Sequence, residues 1–156
     1  MHTYNIKSVT CSEMPPEENA KPVNKIINLL EEGILDERHD QEFYKRLSEM
    51  AGDATDRDIL WSMHLDEMKH EIYMTEIYKH LTDAPLTAEQ PQVEVSSDML
   101  KNFETALFGE ISAVSFYRKI LFAFADRPTR DTLYEIITDE QRHASFLNYL
   151  YAKHKV

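Results

Sequence analysis

Asp66-Glu67-Met68-Lys69-His70 and Asp139-Glu140-Gln141-Arg142-His143 are two copies of one phrase, set 73 residues apart. A single Glu-x-x-His would carry little weight, since 17 Glu and 7 His in 156 residues give about 0.8 such pairs by chance. The offset, however, reaches well beyond the phrase. It maps Glu37 to Glu110, Phe43-Tyr44 to Phe116-Tyr117, Asp53 to Asp126, Arg57-Asp58 to Arg130-Asp131, Leu60 to Leu133 and Tyr78 to Tyr151. The chain is therefore read as a duplicated helix pair, with a pseudo-twofold axis and one isolated glutamate plus one Glu-x-x-His from each half.

Apolar residues recur at spacings of three and four, the period of a helix with one buried face. The spacing predicts helices over 22–51, 54–82, 97–125 and 128–154, separated by Gly52-Asp53, by the segment holding Pro85 and Pro91, and by Arg127-Pro128, with Ser96, Ser97 or Asp98 capping the third. Residues 1–21, which include Met14-Pro15-Pro16, are read as a flexible N-terminal arm ahead of a bundle over 22–156. Short connections make helices one and two, and three and four, antiparallel neighbours. The middle connection of 83–96 can span roughly 45 Å extended, enough to return along a helix of about 40 Å. The expected fold is all-α: a four-helix bundle of ferritin-like connectivity with one long crossover between helices two and three, although the same loop also permits a helix pair to be exchanged between two chains.

Composition narrows the function. Three Gly and six Pro are too few for an all-β domain, and a formal charge of −11 argues against nucleic acid or an anionic membrane as partner. No apolar run is long enough to span a bilayer, and Met1–Thr10 lacks the apolar core of a secretory signal, so a soluble cytoplasmic protein is expected. The single cysteine, Cys11, leaves Glu, Asp and His to hold any metal.

The four stripes carry such residues where core should be. Helix one runs Val23, Ile27, Leu30, Ile34, Glu37, Gln41, Tyr44, and helix two runs Leu60, Met63, Glu67, His70, Met74, Ile77, Leu81. Helix three runs Phe103, Leu107, Glu110, Val114, Tyr117, Leu121, Phe124, and helix four runs Leu133, Ile136, Glu140, His143, Leu147, Leu150, His154. Four buried carboxylates would repel one another and lose hydration at a cost of several kcal/mol each, and no Lys or Arg lies on any stripe to neutralise them. Two divalent cations with two neutral imidazoles would do so.

With both copies of the motif and the Glu-x6-Tyr on each partner helix, the chain resembles the ferritin-like di-iron carboxylate superfamily, specifically its rubrerythrin-like branch, over roughly residues 23 to 154. The resemblance implies Glu37, Glu67, His70, Glu110, Glu140 and His143 as metal ligands, with Glu67 and Glu140 bridging. It implies Asp66 and Asp139 as the aspartates that orient the imidazoles, and Tyr44 and Tyr117 as tyrosines hydrogen-bonded near the cluster. Two departures stand out. Ala113 occupies the position of rubrerythrin's extra glutamate, while Asp40 stands on the symmetry-related turn, and rubredoxin-type cysteines are missing, which points to a separate electron donor or to Fe(II) itself.

What the resemblance implies is an oxidoreductase with two iron ions per site, manganese being the other metal that fits, reducing H2O2 or O2 as Fe(II) is oxidised in a peroxidase or ferroxidase reaction. An iron-storage protein, a di-manganese catalase-like protein and an enzyme hydroxylating an organic substrate are the other readings. Met63, Met74, Leu107, Ile136 and Leu147 would wall the site. A homodimer, with or without helix exchange, is expected. His39 and His64 fall off the stripes and are read as solvated, while His2, His80, His154 and Cys11 have no assigned role.

Overall fold

The computed structural model describes residues 16–155, with side chains from Val23 onward, so Cys11 and His2 lie outside the described residues, as does most of the expected arm. Four helices follow in order: α1 Pro16–Met50, α2 Ala54–Thr82, α3 Met99–Leu121 and α4 Arg127–His154. There is no strand among the described residues. The helix α1 starts six residues earlier than the stripe alone predicts, because a proline is preorganised for the first helical position and nothing in Glu17-Glu18-Asn19-Ala20 breaks a helix.

Aspartates begin the other three helices. Asp53 accepts from the Asp56 amide at 3.1 Å, Asp98 from the Leu100 amide at 3.0 Å, and Asp126 from the Thr129 amide at 2.9 Å, each pairing a donor that the first turn leaves free. Asp83 ends α2 in the left-handed conformation, φ 54°, with its amide bonded to the Lys79 carbonyl at 2.9 Å. The helix α3 stops at Leu121, four residues short of the expected 125. Its end is held by Arg130, whose guanidinium donates to the carbonyls of Leu121 and Phe124 at 2.9 and 3.0 Å and so makes a tight turn cheaper than another helical turn.

The helices pair as two antiparallel hairpins, α1 with α2 and α3 with α4, which close on each other within the one chain. Between them the crossover runs beside α1, where Arg46 donates to the Val93 carbonyl at 3.0 Å and Leu86, Val93 and Val95 pack against the core. Its far end is pinned by buried Asn102, which donates to the Ser96 carbonyl at 2.8 Å and accepts from the Ser96 amide at 2.9 Å. Asn102→Ala would leave both backbone groups without that partner and is expected to lower stability by about 1–3 kcal/mol. Urea unfolding measures this, and an unchanged midpoint would mean that the apolar contacts alone hold the crossover.

The core falls into two clusters, one toward each end of the bundle. Leu30, Ile34, Met74, Ile120, Leu133 and Ile136 belong to the first, and Leu47, Leu60, Met63, Phe103, Leu147 and Leu150 to the second. All twelve are fully buried, each contributing about 1.5–3 kcal/mol of transfer free energy. Gly33 lets α1 approach closely here, since a Cβ at this position would lie 2.7 Å from Met74 Cε and 3.2 Å from Phe116. The sequence positions Glu37, Glu67, Glu110 and Glu140 fall between the two clusters, which places four carboxylates in the middle of the bundle.

Candidate metal centre

Every ligand candidate named from the sequence is buried. Glu37, Glu110 and Glu140 are 3% exposed, Glu67 1%, and both His70 and His143 0%. Their donor atoms converge as two quartets, Glu37-Glu67-His70-Glu140 and Glu67-Glu110-Glu140-His143, each with one ligand atom per residue within 4.8 Å of the others. Only Glu67 and Glu140 belong to both quartets. The pseudo-twofold axis is thus visible in the chemistry.

Proton positions on the imidazoles follow from their outer neighbours. Asp139 lies 3.2 Å from His70 Nε2 and Asp66 3.2 Å from His143 Nε2; since an ionised carboxylate only accepts, each Nε2 carries the donated hydrogen. The inner nitrogens then face acceptors. His70 Nδ1 lies 2.9 Å from Glu67 and 3.1 Å from Glu140, and His143 Nδ1 lies 3.0 Å from Glu67 and 3.6 Å from both Glu110 and Glu140. Two lone pairs cannot face each other at such distances without a positive charge between them. Glu67 Oε1, Glu140 Oε1 and His143 Nδ1 are buried with no hydrogen-bond partner at all.

Without a metal, protons must supply that charge. Burial disfavours charged imidazoles, yet the surrounding carboxylates outweigh it and raise the pKa of both His70 and His143 well above the usual value. Burial likewise pushes Glu37 and Glu110 up, assisted by the negative Glu67 and Glu140 respectively. For Glu67, burial is more than offset by the charged imidazoles of His143 and His70 beside it, which leave it below the ordinary range. A donor set of six carboxylate and imidazole groups with unmatched inner lone pairs fits divalent metal ions.

The tyrosines cross between the hairpins. Tyr44 of α1 donates to Glu110 of α3, and Tyr117 of α3 donates to Glu37 of α1, so each phenol holds the carboxylate of the other half. Burial first, and the adjacent glutamate next, pushes both phenols well above their ordinary range, so they remain protonated donors. On the α2–α4 face the symmetry extends to residues the sequence reading passed over. Lys69 reaches Asp139 at 2.9 Å and Arg142 reaches Asp66 at 2.6 Å, and the offset of 73 maps Lys69 to Arg142. That coincidence was available in the two pentapeptides. Charged residues off the buried stripe are ordinarily solvated, so it carried no weight without the fold.

His64 corrects the sequence expectation: only 9% exposed, it packs against α1 with Nδ1 2.8 Å from the Gln41 carbonyl. His39 is 39% exposed at its side chain and pairs with Asp40 at 2.8 Å. His154 joins Lys153 around Asp56 at the far end of the bundle, at 2.5 and 2.7 Å. Of the expected apolar wall, Met63, Met74, Ile136 and Leu147 are fully buried and Leu107 is half-buried. A cavity of about 350 Å³ opens between α1 and α3 onto Glu37, Glu67, Glu140 and Tyr117.

Two solved structures share this arrangement of helices. The bacterioferritin of Desulfovibrio desulfuricans, described as carrying a diiron site in different catalytic states, superposes with a TM-score of 0.73 over 85% of this chain and 81% of its own, at 20% identity. A ferritin-like, diiron-carboxylate protein from Bacillus anthracis gives 0.70 over 83% and 97%, at 22% identity. The fold is the ferritin-like four-helix bundle. No family model matches the chain, and neither does any curated protein sequence. No helix among the described residues is long and apolar enough to cross a membrane.

Proposed function

We propose that this ferritin-like bundle is a non-haem di-iron carboxylate protein that oxidises Fe(II) with H2O2 or O2. The observation that carries the reading is the pair of quartets sharing Glu67 and Glu140, with an inner nitrogen of each imidazole turned on carboxylate oxygens. Two irons held there would supply two electrons at once, so that one H2O2 and two protons give two waters as two Fe(II) become Fe(III), or one O2 and two protons give H2O2. Glu37 and His70 would hold one ion, Glu110 and His143 the other, and Glu67 and Glu140 both.

The protein supplies the rest. Tyr44 and Tyr117 fix the outer carboxylates, and Asp66 and Asp139 fix the imidazole tautomers, so the ligands need little rearrangement when charge changes. Met63, Met74, Ile136 and Leu147 exclude bulk water above and below. Nothing in the donor set separates iron from manganese, so metal identity belongs to the test. A separate electron donor, or Fe(II) itself, would return the centre to its reduced state.

The test loads apoprotein anaerobically with two Fe(II) per chain and mixes it rapidly with H2O2 or with O2, following ferric absorbance in the near ultraviolet. Fast oxidation by H2O2 with slow oxidation by O2 marks a peroxidase of the rubrerythrin kind, and the reverse order marks a ferroxidase. Equal rates with and without protein overturn the proposal. Similarity to a bacterioferritin supports a second reading, in which the same oxidation is the first step of iron storage. Storage needs a hollow assembly of many subunits, so sizing by light scattering separates the two, and a monomer or the expected homodimer excludes storage.

A further inference from the structure

The duplication provides an internal control for the surroundings of the site. On α1 the cavity is lined by Glu32, Asp36, His39 and Asp40, and the offset of 73 places Thr105, Gly109, Ser112 and Ala113 opposite them on α3. Ligands, tyrosines and aspartates were kept in both halves, whereas this wall is acidic in one half and small and neutral in the other. The α2–α4 side of the centre differs. Between α2 and α4, Lys69 pairs with Asp66, Glu135 and Asp139, and Arg142 with Asp66 and Asp139, so each of these carboxylates already has a cationic partner.

A divalent cation is therefore attracted to the α1–α3 face, where the cavity leads to Glu67 and Glu140, 1% and 3% exposed, each with an oxygen that no hydrogen bond satisfies. We propose that Asp36 and Asp40 form a capture wall for divalent metal ions, drawing them from solvent through the α1–α3 cavity to Glu37, Glu67 and Glu140. Asp36 is exposed, Asp40 has 42% of its side chain exposed and pairs with His39, and both line the cavity. The wall speeds arrival and holds no ion at equilibrium, since it does not join either quartet. The inference rests on the metal-centre reading and adds the direction of approach.

Stopped-flow uptake of Co(II) by apoprotein, followed by its visible absorbance, tests it without any turnover. In the Asp36→Asn/Asp40→Asn variant the second-order uptake rate at low ionic strength is expected to fall about tenfold and to lose most of its salt dependence, with the end point still two Co(II) per chain. Gly109 offers a second arm, because a Cβ there meets nothing within 4 Å and the residue lines the same cavity. Gly109→Asp, which recreates Asp36 on the opposite wall, is expected to restore uptake in the double variant and to accelerate it in the wild-type background. Unchanged rates in the double variant would overturn the proposal, as would a reduced end point, which would make these aspartates ligands. Failure of the wild-type chain to bind two Co(II) would instead remove the metal centre itself, and the inference with it.

Discussion

Glu67→Ala and Glu140→Ala are each expected to remove both metal ions, whereas Glu37→Ala and Glu110→Ala each remove one. The asymmetry follows from the quartets: Glu67 and Glu140 stand in both, Glu37 and Glu110 in one apiece. Taking one member from a buried charge cluster typically costs about 3–5 kcal/mol, so affinity at an affected site should fall by about a hundredfold or more. Metal content after dialysis against a weak chelator, with circular dichroism confirming the helices, reads the result directly. Two ions per chain retained by both the Glu67 and the Glu140 variants would refute the bridging assignment.

The second large effect is on pH. In apoprotein, His70 and His143 have pKa values raised above the unfolded value of about 6.5, so the stability they contribute is fully present below that value and is lost as pH rises through the raised folded value. Glu37 and Glu110, also raised, oppose folding increasingly as pH rises above about 4.3, the unfolded value. Glu67 and Glu140, lowered, contribute above the unfolded value and lose that contribution as pH falls through the folded one. Apoprotein should thus be most stable in mild acid and melt progressively lower between pH 6.5 and 9.

Metal reverses the trend, because each ion displaces a proton from an imidazole and binds more tightly as pH rises. Loading is expected to release at least two protons per chain near neutral pH and, with free metal at about a thousand times Kd, to add about 4 kcal/mol of stability for each ion bound. Thermal melts of both forms across this range provide the check. An apoprotein whose melting temperature is flat from pH 6.5 to 9 would show that these groups do not hold protons in place of metal.

The bundle and its centre were legible because burial and chemistry both followed periodicity. Glu37, Glu67, His70, Glu110, Glu140 and His143 sat on stripes that had to be core, and the offset of 73 said which residues faced each other. Residues that depend on how helices approach were less visible. His64 lies off the stripe but is covered by α1, and Lys69 and Arg142 reach the aspartates only because α2 and α4 meet at that level. The acidic wall of Asp36 and Asp40 was hidden for the same reason: nothing in one helix tells which flank faces a cavity.

The most direct test of the centre is anomalous diffraction at the iron absorption edge from crystals of the reconstituted protein. Two peaks per bundle are predicted, both beside the carboxylates of Glu67 and Glu140, one next to His70 Nδ1 and the other next to His143 Nδ1. A single peak, or peaks away from these six side chains, would contradict the account.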